Sequence, residues 1–541
     1  SLPPSFPTCF SLIVSSIPRP TMSVVQSSAS QELLNDSRIK RSKGSPNKTT
    51  RMPSPSIALL TVALCLSGGF QQGYIASVLN QPYLHIEQFI NETIYERTDI
   101  DTPKHALNLI WSSLLIMFPI AAIIGQFLAA WLCKKLGRKG TAVLSCVLYI
   151  PGTLLCYAAE PARSFELLFL GRILWSLANG INSVNATVWI VECAPASIRG
   201  SMAAMQEFSM AIGSVMCQSL GVPLSTPSGW PFIFLPNIPV VLLALLFFCF
   251  VPDSPQAILE REGDHEKARC ALARYYGVSS DSAILDNELS SATKKKKKNA
   301  VAKVDDDVKG VAWIFNPFGT PNDRLRVIQE AAWLGVMVKI AYVFTGARCL
   351  RSNSSFVLHS LSYFTYSSAN VGSWFISLLR IPATLVPVLF VDRLGRRPLL
   401  LVSLVVSVIS LSVMIVVPLV STQLQYVSFT AFALLLLINA AGLGSVSRFY
   451  AAELIPRSML LEAVSILAGL EAFAKIVVEF AFFPVGNIIG VYSLTIFILP
   501  SLAFIVAIWA LCPETSGRSV YQVLNDIAHR KNLKVAFNPQ T

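Results

Sequence analysis

Glu471, Lys475 and Glu479 step by four residues inside an apolar run, so on a helix they share one face. Arg448 sits in another apolar run, LGSVSRFYAAEL at 443–454, with Glu453 in the same last turns. Ionisable side chains are costly in hydrocarbon. Where they occur they face a protein interior or a wet cavity, take partners, and mark a solute path or a charge network. The chemistry they offer is binding and pairing. No nucleophile–base set and no phosphate-cradling loop accompanies them, so no enzyme activity is expected. The eleven cysteines are scattered, most of them inside apolar runs (Cys65, Cys146, Cys156, Cys217, Cys249), without a CxxC pair or a His cluster. They read as small buried hydrophobes, and neither a disulfide framework, a metal nor a cofactor is expected.

The elements that hold these charges must cross a membrane. Of 541 residues 53% are hydrophobic and 14% charged, whereas soluble domains carry about a quarter charged residues. Apolar blocks long enough to span lie near 57–79, 109–133, 141–159, 166–191, 201–222 and 230–251, and again near 327–347, 370–391, 398–419, 426–452, 462–483 and 490–512. The expected fold is an all-α membrane protein of twelve transmembrane helices in two six-helix bundles, 57–251 and 326–512. A disordered cytoplasmic tail (1–56, Ser-rich and basic over 22–56), a cytoplasmic central loop (252–325) and a cytoplasmic C-terminal tail (513–541) complete it. Residues 10–17 are mildly apolar but flanked by prolines and lack a basic n-region, so no signal peptide is expected.

The net charge of +12 does not read as a nucleic-acid face, because the basic residues lie in the tail, the middle loop and short linkers. KKLGRKG (134–140), Lys294–Lys298 and DRLGRRP (392–398) would face one side together with both termini, and the positive-inside rule makes that side cytoplasmic. The loop at 80–108 is then extracellular and holds the sequon Asn91-Glu-Thr, a candidate glycosylation site. The two halves also repeat. LGRKG (136–140) matches LGRRP (394–398), ECAP (192–195) matches ELIP (453–456) and PDSP (252–255) matches PETS (513–516), at offsets of 258, 261 and 261 residues. Parallel six-span repeats build alternating access around a midplane site. Basic turns and an acid at the cytoplasmic ends of spans can latch helices there and must separate when the inside opens; each exposed pair contributes under about 1 kcal/mol, and a few together could bias a two-state equilibrium.

The motifs GGFQQGYIASVLNQP (68–82), ELLFLGR (166–172), VECAPASIRG (191–200), VPDSP (251–255), VDRLGRRP (391–398), AAEL (451–454) and CPETSGRS (512–519) together resemble the sugar porter family of the major facilitator superfamily, and within it the animal facilitative glucose transporters, over about residues 57–525. The resemblance implies the major facilitator fold, a central cavity and alternating access for hexoses. It maps cytoplasmic gating charges onto Arg138, Glu192, Arg199, Arg396, Arg397, Glu453 and Glu514, with Gln256 standing where an arginine is usual.

Cavity candidates by the same resemblance are Gln71, Gln72, Glu207, Arg348, Arg380, Asn439, Arg448 and Lys475. Several depart from the amides and indole with which the family reads a neutral polyol. Glu207 stands for a glutamine, Arg380 for an asparagine and Arg448 for a tryptophan; YVFTGAR, with Arg348, replaces the seventh-span QQLSGIN signature. Two readings remain open. In one, Arg348, Arg380, Arg448 and Lys475 form a basic pocket for an anionic or strongly polar solute, with Glu207 as partner or proton site. In the other, they form structural pairs with Glu207, Glu471 and Glu479. Ile75 stands where proton-coupled porters carry an aspartate, which favours facilitated diffusion. The expected function is transport of a small polar solute, a sugar or sugar-like compound, in the plasma membrane. An organic-anion transporter of the same fold and a non-transporting nutrient sensor are the rivals. The partners expected are a small-molecule substrate and the lipid bilayer, with no nucleic acid and no assigned oligomeric state.

Overall fold

The computed structural model describes residues 54–194, 199–278, 323–455 and 460–516, together with 518, 520–531, 533, 535 and 537. The first tail and Lys294–Lys298 lie outside the described residues. Among the described residues, seven stretches are long and apolar enough to cross a membrane: Pro55–Ser77, Lys104–Ala158, Phe165–Ile190, Trp230–Phe250, Asp323–Ser352, Arg396–Val420 and Ile466–Leu511. Lys104–Ala158 and Ile466–Leu511 each hold two crossings, divided at Gly137 (φ 77) and Gly490 (φ 60). Arg199–Leu224, Tyr366–Leu394 and the pair Gln425–Ala441 with Leu443–Leu454 supply the remaining three spans. Among the described residues the result is the expected twelve, six before and six after residues 279–322.

Small residues set the helix spacing. A Cβ on Gly73 would lie 1.9 Å from the Met210 carbonyl oxygen, and one on Gly213 would lie 2.2 Å from that of Phe70. The first span, which carries a π-helical turn at Cys65–Gly69, therefore packs backbone to backbone against the fifth.

Two later spans are broken where the backbone must re-aim. The seventh stops at Phe344 and turns through Gly346 (φ 73), whose missing side chain leaves room for the Phe497 ring. It restarts as Ala347–Ser352, placing Arg348 and Arg351 three residues apart on a new axis. The tenth breaks at Gly442, where the ninth span's Ser403 Oγ accepts from the Leu443 amide at 3.2 Å.

Three segments read from sequence as loop or tail contain helices. Tyr83–Thr98 lies within 80–108; its apolar residues Tyr83, Ile86, Phe89 and Ile90 are buried, while half-buried Asn91 keeps its side-chain oxygen enclosed. Pro255–Arg261 and His265–Tyr276 open the central loop, and Tyr275 OH donates to the Pro252 carbonyl at 2.5 Å. Val520–Arg530 follows the twelfth span and buries Val523, Leu524, Ile527 and Ala528 against a core containing Val327 and Ala331 of the seventh.

Candidate transport chamber

Two adjoining voids lie between the halves and share Ala76, Phe118, Arg348 and Arg351 in their walls. The first half contributes Gln72, Gly73, Ser77, Leu115, Arg172, Met210 and Ser214; the second contributes Tyr342, Ser352, Asn353, Arg380 and Glu479. Among the described residues, four arginines and one glutamate thus line the two voids. Arg348 Nε pairs with Glu479 Oε1 at 3.3 Å. Arg172 is buried and donates to the Leu114 and Ile75 carbonyls at 3.2 and 3.3 Å. Among the described residues, Arg351 and Arg380 meet no carboxylate.

Of the residues expected at the cavity, Gln72, Arg348 and Arg380 line it. Gln71 turns away; its Oε1 accepts from Trp175 Nε1 at 3.3 Å. Asn439 donates to Ser407 Oγ at 2.7 Å and to the Leu435 carbonyl at 2.9 Å, tying the tenth span to the ninth. Glu207 lies one turn from Met210, half-buried and engaged by its own contacts, outside the chamber wall. Lys475 belongs to a buried triad: Glu471 receives Lys339 Nζ at 2.6 Å and also contacts Lys475 Nζ, which lies 5.9 Å from the centre of the Tyr342 ring. The Arg448 backbone is helical in Leu443–Leu454, and its side chain lies outside the described residues. The open choice between basic pocket and structural pairs therefore divides by residue. Arg348 and Lys475 are paired, while Arg380 and the unanticipated Arg351 are not. Arg351 is signalled only by its place three residues after Arg348, and Arg172 by its place in ELLFLGR.

The repeat appears again as two matching charge clusters. After Gly137, the amides of Arg138 and Lys139 donate to Asp253 Oδ1 at 3.1 and 3.0 Å. After Gly395 (φ 82), those of Arg396 and Arg397 donate to Glu514 at 2.8 and 3.0 Å. Arg138 Nη2 lies 2.6 Å from Glu192, which also accepts Ser254 Oγ at 2.5 Å. Arg396 Nη2 lies 3.2 Å from Glu453, which accepts Thr515 Oγ1 at 2.5 Å. Among the described residues, these bonds join span ends of the same half to one another. Asp253, not anticipated as a functional charge, is the first-half counterpart of Glu514. The Arg199 side chain lies outside the described residues.

At the other end the halves meet directly. Asn80 Nδ2 donates to Ser354 and Ser373 Oγ at 2.8 and 3.0 Å, and its Oδ1 accepts from the Ser355 amide at 3.0 Å. Gln81 Nε2 donates to the Asn370 carbonyl at 3.3 Å, and Tyr366 OH donates to the Gln81 carbonyl.

Twelve spans in two matched halves, with a polar chamber between them, define a membrane transporter rather than an enzyme. The chain matches the family described as "Sugar (and other) transporter" over residues 60–526, and it belongs to that family. It is 26% identical over 499 residues to the facilitated glucose transporter member 7 of solute carrier family 2 from Mus musculus, covering 90% of this chain and 93% of that one. It is 25% identical over 486 residues to member 5 from Rattus norvegicus, covering 88% and 92%. A solved structure of the xylose transporter XylE from E. coli, described as partially occluded and inward open, superposes with a TM-score of 0.68 at 18% identity, covering 86% of this chain and 100% of that one.

Proposed function

We propose that the chain moves a sugar or sugar-like solute through the central chamber by alternating access and facilitated diffusion. The bundles 57–251 and 326–512 are the rocking units, the membrane is the plasma membrane, and the termini and central loop are cytoplasmic. The observation that carries this reading is that both halves wall one chamber, while hydrogen bonds between halves seal the end near Asn80 and, among the described residues, the bonds given for the charge clusters at the other end run within each half. The relatives named as facilitated glucose transporters support the solute class. Buried Ile75 at the position where proton-coupled porters carry an acid supports movement without a coupling proton. The Arg138, Glu192, Arg396, Arg397, Glu453 and Glu514 clusters hold each bundle rigid as it moves.

Purified protein in liposomes should take up labelled solute down its gradient and exchange it with unlabelled solute trapped inside. Uptake should be unchanged when a proton gradient is collapsed. Failure to exchange any member of a broad set of neutral and acidic monosaccharides would overturn the reading. A second reading, an organic anion as cargo, is favoured by the arginines on the chamber wall.

A further inference from the structure

We infer that the chamber is built for a sugar carrying a negative group, carboxylate or phosphate, with Arg351 and Arg380 as its counter-charges. The inference rests on the chamber being the solute site. Four guanidiniums and one carboxylate leave a local excess of positive charge in a space walled by protein within the membrane. Uncompensated buried charge is strongly unfavourable. Arg348 has Glu479, and Arg172 has two backbone carbonyls. Arg351 and Arg380 make neither contact at bonding distance among the described residues, although both face the void; Glu479, bonded to Arg348, acts on Arg351 only at longer range. A neutral hexose leaves both without a bonded counter-charge, whereas an anionic group supplies one and accepts bidentate hydrogen bonds from the guanidinium fork.

The rest of the wall argues for a sugar around that anion rather than a bare ion. Gln72, Ser77 and Ser214 of the first half face the same void as Arg380. Neutral amides and hydroxyls both donate and accept, as a polyol requires. The charge-reading groups come mostly from the second half and the hydroxyl-reading groups from the first. A sugar anion therefore engages both halves at once, which is the condition for its binding to bias their relative position.

The test is equilibrium binding of labelled glucuronate, glucose 6-phosphate and glucose to detergent-purified protein, followed by uptake into liposomes. One or both sugar anions should bind at least about tenfold more tightly than glucose, and the one that does identifies the negative group. Arg351→Gln and Arg380→Gln should each weaken that binding by about tenfold or more. Arg380→Lys, which keeps the charge, should recover part of the loss and shows that the site, not the fold, was changed. In liposomes, an inside-positive potential should raise the anion's uptake and leave glucose uptake unmoved. Glucose binding as tightly as either anion would overturn the inference. So would inorganic phosphate or acetate competing as well as the sugar anions, since the chamber would then read charge alone. Sugar-anion binding without uptake of any solute supports this site and removes the transport reading. Glucose transport without anion binding does the reverse.

Discussion

At the scale of single residues, the chain keeps two kinds of buried cation apart. Lys339 and Lys475 share Glu471, and all three are largely buried. Neutralising Glu471 leaves two ammonium groups with no counter-charge, a loss on the order of 3–5 kcal/mol for a broken buried pair. Glu471→Gln should therefore lower the unfolding temperature in detergent markedly. The double variant Glu471→Gln with Lys475→Met, which strands only Lys339, should recover part of that loss. A thermal-unfolding series on the three proteins checks this, and equal transitions for wild type and Glu471→Gln would remove the triad from the stability of the second half. The four-residue spacing of Glu471, Lys475 and Glu479 made their shared face legible in sequence, but not how the charges divide. Lys339, in the seventh span, decides that Glu471 serves the triad, which leaves Glu479 to Arg348. Arg351 was hidden because the seventh span breaks at Gly346, and the new axis, which no periodicity reports, turns it into the chamber.

At the scale of elements, the matching turns after Gly137 and Gly395 show how the repeat stabilises span ends. Both glycines have positive φ with extended ψ, a region essentially restricted to glycine. The turn aims successive amides at one acid. Glu514 accepts from the amides of Arg396, Arg397, Thr515 and Ser516. Burial pulls its pKa upward, but these amide bonds outweigh it and hold the carboxyl below its ordinary value. A depressed carboxyl contributes stability that is complete above the unfolded value of about 4.3 and is lost as pH falls through the folded one. Wild-type protein should therefore lose thermal stability on acidification below about pH 4, whereas Glu514→Gln should be less stable at neutral pH and flatter on the acid side. Parallel acid limbs for the two proteins would contradict this role. The spans and the repeat were readable because apolar length and a constant offset are written directly in the chain. The helices Tyr83–Thr98 and Val520–Arg530 were not, because each buries a single narrow face among polar residues and carries no apolar run.

At the scale of the whole molecule, the balance between states turns on a seal with few bonds. Asn80 makes three of them, each contributing about 0.5–1.5 kcal/mol net. Their loss is not uniform. Ser354 and Ser373 already bond to one another at 2.6 Å, so Asn80→Ala leaves them a partner, while the Ser355 amide is stranded on a buried residue. In a state open at this end, water reaches all of these groups, so the substitution raises the energy of the sealed state alone. A bias of about 1–2 kcal/mol changes the ratio of states by roughly 5–30-fold. Spin labels at exposed Tyr95 and Tyr426 report the opening across the two halves, with exposed Cys249 and Cys270 first replaced by serine. The longer-distance population should grow by about that factor in Asn80→Ala. A saturating substrate that bridges both halves should reduce it again, because closure around the solute restores contacts the variant lacks. An unchanged distance distribution would mean that the apolar packing around Tyr83 and Phe356 holds this end shut without the polar bonds.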